Sequence, residues 1–130
     1  MKIEERMSQV LFTVRPSDSL AAARETMTAN SCRHLPVVED GALVGLISLG
    51  DLYVMEALNE LDPEDTEVQS AMSKDILAVP RGTPLRQVAA DMARLHVGSA
   101  IIVDGVRPIG IFTSTDACRV LAEVLPPVGA

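Results

Sequence analysis

"GIFTSTD", residues 110–116, ends a run of apolar residues with hydroxyls, small polar residues and an acid. Taken by itself it is a strand handing over to a helix, with Thr113 capping the helix and Asp116 completing a capping box. The other reading is a binding site at the same junction. An earlier stretch, "GLISLGD" at residues 45–51, repeats the glycine, the apolar pair, the hydroxyl and the acid at identical spacing.

That recurrence extends along the chain. A shift of 65 positions lays Met7-Ser8 on Met72-Ser73, Val14 on Val79, Leu20 on Leu85, Met27 on Met92 and Val38 on Val103. It also lays Gly45 on Gly110, Ser48 on Thr113 and Asp51 on Asp116, with no gap. The chain therefore reads as two copies of one unit, residues 1–66 and 67–130.

Each copy predicts the same order: strand, helix, strand, strand, helix. A short extended piece ("VLFTV", "ILAV") leads into a turn rich in Pro, Ser, Gly and Asp. Helices are expected from Asp18 and from Thr83, where a capping hydroxyl precedes Pro84 at the first helical position. Leu85, Val88, Ala89 and Met92 form one apolar helical face. In the first copy Leu20, Ala23 and Met27 keep that stripe and Arg24 interrupts it. "HLPVV" with "ALVGLIS", and "SAIIV" with "RPIGIFT", read as hairpins turning at the acidic-Gly pairs of "EDG" and "DGV". The closing helix of the second copy carries Ala117, Val120, Leu121 and Val124 on one side. "ELDPEDTE", residues 60–67, is a solvated linker.

Bulk properties exclude several function classes. The chain has 130 residues and 48% hydrophobic content, enough for one core, but only 2% aromatics. A net charge of −7 argues against a nucleic-acid or anionic-membrane surface, while leaving room for one phosphate held by local basic groups. "MKIEERMSQV" has no apolar h-region, and no stretch approaches the ~20 apolar residues of a membrane helix. Cys32 and Cys118 make no disulfide framework, so a cytoplasmic location is expected.

A unit of about 60 residues buries too little surface to stand alone comfortably. Two copies packed sheet to sheet, with pseudo-twofold symmetry and two equivalent clefts, solve that problem. The expected fold class is α/β, of the α+β type.

The chain resembles the cystathionine-β-synthase (CBS) domain family, two of whose motifs pair into a Bateman module. The resemblance rests on "GLISLGD" and "GIFTSTD", on "RHLPVV" and "VGSAIIVDG", and on the Met-Ser opening of each copy; it covers about residues 7–125. It implies an adenosine-containing ligand (AMP, ADP or ATP, alternatively S-adenosylmethionine or NAD) in a cleft between the copies, with no cofactor required. It assigns ribose binding to Ser48 and Asp51 in one copy and to Thr113, Thr115 and Asp116 in the other. The chemistry is suitable, because an ionised carboxylate accepts strong hydrogen bonds from vicinal hydroxyls. It assigns phosphate binding to Arg33 and His34, across the cleft from the acid of the other copy. The matching positions of the second copy are Gly98 and Ser99, so the cleft with Thr113 and Asp116 is expected to bind nucleotides better. Thr13-Val14 and Ala78-Val79, with Cys32, would meet the purine. The two readings of "GIFTSTD" are compatible, since a capping acid can still face a cleft.

Plainer roles stand beside these. Arg33 is equally a solvated charge, His34 a strand residue satisfied by a carbonyl, and His96 a residue with no role. Cys32 and His34 share a strand face, but no third partner suggests a nucleophile or a metal site. No catalytic constellation is evident. The expected function is a non-enzymatic regulatory or sensor module, forming a homodimer through the last helix and acting on an unidentified protein. The alternative is a structural interaction module without ligand.

Overall fold

A computed structural model describes residues 1–9, 11–58 and 61–129. Val10, where the first extended piece begins, and Glu60, the first linker residue, lie outside the described residues. Helix α1 spans Leu20–Asn30, β1 His34–Glu39, β2 Ala42–Ser48 and α2 Leu49–Glu56. They are followed by β3 Ala78–Pro80, α3 Leu85–Leu95, β4 Ser99–Asp104, β5 Arg107–Thr113 and α4 Ser114–Val124. The fold is mixed α+β, with a two-stranded sheet β1-β2 and a three-stranded sheet β3-β4-β5.

The compact units are not the sequence halves. One comprises residues 11–76 with 106–108; the other comprises residues 1–10, 77–105 and 109–130. Each half thus lends its opening segment to the other unit. Ile3 is fully buried among Val79, Leu85, Val88, Ala100, Ile102 and Phe112, and its amide donates to the Thr83 carbonyl at 2.9 Å. Val68 is fully buried among Val14, Leu20, Met27, Leu35, Val37 and Ile47, and its amide donates to the Asp18 carbonyl at 2.7 Å.

The Met-Ser openings show what the exchange does. Ser8 and Ile111 trade backbone hydrogen bonds (2.8 and 3.0 Å), as do Ser73 and Leu46 (2.8 and 2.9 Å). Both pairings press a methionine onto a motif glycine, Met7 on Gly110 and Met72 on Gly45. A Cβ on Gly45 would lie 2.6 Å from the Met72 sulfur, so the thioether sits where only a glycine leaves room without a shift.

Local expectations are modified in physically instructive ways. The second-copy lead-in is a true strand, with Ala78, Val79 and Pro80 parallel to Ile101, Ile102 and Val103. The first-copy lead-in is reduced to one bridge, Val14 to Val37. Where Arg81 donates its amide to the Val103 carbonyl, the matching residue is Pro16, which has no N–H, and the ladder stops. Helix α1 begins after Ser19, whose hydroxyl accepts from the Ala22 amide, rather than at Asp18. Thr83 does not cap α3: its hydroxyl donates to the Pro80 carbonyl at 2.7 Å, and Pro84 is the cap residue. On α3, Leu85, Val88 and Met92 are buried, but Ala89 is exposed. On α4, Ala117 and Val120 pack on the core, while Leu121 and Val124 face outward with Leu125. Arg24, the interruption in the α1 stripe, ion-pairs with Glu56 and lies 5.6 Å from the Tyr53 ring centroid, which ties α1 to α2.

Both α1 and α3 end on a left-handed residue that is not glycine, Ser31 (φ 51°) and His96 (φ 56°). The next amide then folds back, Cys32 to the Met27 carbonyl and Val97 to the Met92 carbonyl, each at 3.1 Å. His96 therefore terminates a helix.

Candidate functional site

In each unit a hydroxyl ends a strand and an acid occupies the third position of the following helix. At the β2–α2 junction the Ser48 amide donates to Asp51 Oδ2 at 2.8 Å, and the Asp51 amide donates to Ser48 Oγ at 3.1 Å. At the β5–α4 junction the Thr113 amide and hydroxyl donate to Asp116 Oδ2 at 2.9 and 3.0 Å, and the Asp116 amide donates to Thr113 Oγ1 at 3.4 Å. Both are complete capping boxes. They satisfy helix N-terminal amides, and a carboxylate there is favoured by the helix dipole.

The boxes leave chemistry to spare. A carboxylate has roughly four acceptor sites, and each box draws on Oδ2 alone. All four residues are half-buried rather than sealed, so the remaining oxygen can meet a ligand. Thr115 is exposed in the first turn of α4.

The second oxygen distinguishes the two acids. Arg119, one turn along α4, places a guanidinium nitrogen 3.1 Å from Asp116 Oδ1. The residue matching Arg119 in the first copy is Val54, and among the described residues no ion pair reaches Asp51. Arg119 was absent from the sequence-derived site, although its three-residue spacing from Asp116 on a helix is a legible signal.

Arg33 and His34 lie beside the acid of their own unit. His34 pairs in register with Ser48 across β1 and β2, and the Leu49 amide donates to the Arg33 carbonyl at 2.8 Å. The matching contact in the other unit runs from the Ser114 amide to the Gly98 carbonyl at 3.0 Å, with Ser99 buried. The Arg33 side chain is exposed. Burial pushes the His34 imidazole below its ordinary value; the Asp51 carboxylate opposes that shift and the Arg33 charge adds to it. At neutral pH His34 is thus an uncharged donor or acceptor, and Arg33 carries the positive charge.

Of the residues assigned to the purine, Val14 is buried and both its backbone groups are taken: its amide donates to Pro36 and its carbonyl accepts from Val38. Thr13 is exposed, and strand alternation turns its backbone away from β1. Val79 is likewise buried in its ladder beside the exposed Ala78. Cys32 is half-buried, and desolvation raises its thiol above the ordinary range, which keeps it protonated and a poor nucleophile. No cluster of three metal-ligating side chains occurs among the described residues. No helix among them is long and apolar enough to cross a membrane.

A cavity of about 460 Å³ lies between α1 and α2, lined by Leu20, Ala21, Leu52, Met55, Leu61 and the Arg24–Glu56 pair among others. It contains none of the residues assigned to ribose, phosphate or purine.

The CBS domain model matches residues 3–55 and 67–123. A CBS domain-containing protein of Dictyostelium discoideum is 32% identical over 138 residues, covering 97% of this chain and 94% of the relative. Protein MJ1225 of Methanocaldococcus jannaschii is 26% identical over 131 residues, covering 92% of this chain; the chain spans about half, 47%, of that relative's length. Among solved structures, the CBS domain pair of protein MJ0100, in complex with 5′-methylthioadenosine and S-adenosyl-L-methionine, superposes with a TM-score of 0.86 at 24% identity. That match covers 95% of this chain and 97% of the other, and it establishes likeness of fold. With a matching segment in each half, the chain belongs to the CBS domain family, as a tandem pair of CBS motifs.

Proposed function

We propose that this CBS pair is an adenine-nucleotide sensor, in which Ser48–Asp51 and Thr113–Asp116 grip the ribose and Arg33 meets the phosphate. One observation carries the reading: the same strand-end hydroxyl and helix-start acid form in both units, each acid only partly buried and with one carboxylate oxygen outside its capping bonds. The capping hydroxyl alone would satisfy a helix start without an acid three residues on. The ligands of the MJ0100 pair, both adenosine derivatives, support the choice of ribosyl ligand. His34 contributes a neutral hydrogen bond, and Thr13 and Ala78 offer backbone edges to the purine. AMP, ADP or ATP is preferred over S-adenosylmethionine because Arg33 suits a phosphate.

The mechanism is linkage. A ligand that binds one conformation better than another shifts the population, and a partner protein reads the shift. Regulation without catalysis, a cytoplasmic setting, and pairing with a second copy through the exposed Leu121, Val124 and Leu125 belong to the same proposal.

Calorimetry with AMP and adenosine tests it. A hydrogen bond to a charged group is worth roughly 1.5–3 kcal/mol, or about one to two decades in affinity. Asp51→Ala and Asp116→Ala should each weaken AMP by that amount at its own motif. Arg33→Ala should weaken AMP more than adenosine. Equal losses for both ligands would overturn the phosphate assignment.

A further inference from the structure

The two acids have the same local frame but unequal electrostatic surroundings. Asp116 Oδ2 accepts two bonds from Thr113, and Oδ1 accepts from Arg119 at 3.1 Å. The Asp116 side chain is only 15% exposed, whereas that of Arg119 is 71% exposed. The guanidinium therefore approaches from solvent and covers the oxygen that the capping box leaves over. That oxygen is also the acceptor a ribose hydroxyl would use. At Asp51 the corresponding residue is Val54, an exposed aliphatic side chain that offers no charge.

We propose that Arg119 is a built-in competitor for the ribose at Asp116, and so a specificity-determining residue of the second motif. The inference rests on the ribose reading given above. A neutral riboside must displace the guanidinium from Oδ1 and leave it to water. A ligand carrying a phosphate gives the displaced guanidinium a new anionic partner, so Arg119 penalises the nucleoside more than the nucleotide. The second motif thereby disfavours uncharged ribosides relative to the first motif.

The magnitude follows from exposure. An ion pair with one partner in solvent is a weak interaction in water, and its loss corresponds to about a two- to fivefold change in an equilibrium. Salt screens such a pair, with a Debye length of about 10 Å at 0.1 M and about 3 Å at 1 M, while adenosine itself carries no charge to screen.

The test is calorimetric titration of the full chain with adenosine and with AMP. An Asp51→Asn background isolates the second motif, and asparagine preserves the cap. There, Arg119→Val should raise adenosine affinity about two- to fivefold and AMP affinity by less. Adding Asp116→Asn should abolish the gain, because the competitor acts only through that carboxylate. Raising salt from about 0.05 to 0.5 M should strengthen adenosine binding with Arg119 present and leave the Arg119→Val chain unchanged. Adenosine binding that is unmoved or weakened by Arg119→Val, or a gain that survives Asp116→Asn, would overturn the competitor. Absence of both adenosine and AMP binding from the unsubstituted chain would overturn the ribose reading itself.

Discussion

Gly45 and Gly110 carry the tightest steric constraint on the fold, and alanine at either position tests it. At Gly45 a new Cβ would lie 2.6 Å from Met72 Sδ, 3.1 Å from Met72 Cγ and 3.1 Å from the Ser73 carbonyl oxygen. The thioether can swing aside. The carbonyl cannot, because it accepts from the Leu46 amide at 2.9 Å while the Ser73 amide donates to Leu46 at 2.8 Å. At Gly110 the three nearest atoms all belong to Met7: its sulfur, Cγ at 2.9 Å and Cε at 3.0 Å. Overpacking of this kind costs about 1–3 kcal/mol. For a chain of this size that lowers the melting temperature by about 4–12 °C. Gly50→Ala is the control, since its nearest neighbour, Ser48 Oγ, would be at an ordinary 3.6 Å. Urea denaturation followed by circular dichroism gives the stabilities. Double-mutant cycles should show strong coupling of Gly110→Ala to Met7→Ala, and weaker coupling of Gly45→Ala to Met72→Ala because the Ser73 carbonyl remains. The reasoning fails if either single glycine variant is as stable as the parent chain, or if the Gly110–Met7 cycle shows no coupling.

His34 has its folded-state value below the ordinary 6.5 through burial, so the unfolded chain binds the proton more readily. Stability should be fully present above about pH 6.5 and fall as the pH drops through the folded-state value; His34→Gln should flatten that slope in urea melts at several pH values. His96 ends α3 at φ 56°, where a side chain is strained. His96→Gly should stabilise by about 1 kcal/mol, read as a higher urea midpoint at unchanged slope; destabilisation would mean the imidazole makes a compensating contact.

The fold was legible wherever it depends on local pattern. The 65-residue repeat and the Ser48–Asp51 and Thr113–Asp116 boxes need only residue types at fixed spacing. The exchange of opening segments was not legible. Met7 and Met72 were visible as repeat markers, and Gly45 and Gly110 as motif glycines, but which methionine covers which glycine is a long-range packing choice. Ala89 matches the apolar face by period, yet its short side chain falls outside the covered arc that Leu85, Val88 and Met92 define. Pro16 was visible, but its consequence emerged only beside Arg81, whose amide completes the ladder that proline cannot. In the site, the residue types were readable and their competition was not: the sequence assignment paired Asp116 with a ligand, and the structure pairs it first with Arg119.

The central claim, that the paired hydroxyl–acid junctions hold an adenine nucleotide, is tested most directly by thermal unfolding with ligand. The measurement compares the parent chain with the Asp51→Ala/Asp116→Ala double variant, each with and without AMP or ATP. The ligand-induced increment is the quantity to compare, because removing two capping acids lowers the baseline as well. A ligand at 100 times its Kd adds about 2.7 kcal/mol of stability. The account predicts a nucleotide-dependent rise in melting temperature for the parent chain and its loss in the double variant. No rise in the parent, or an equal rise in both proteins, would contradict it.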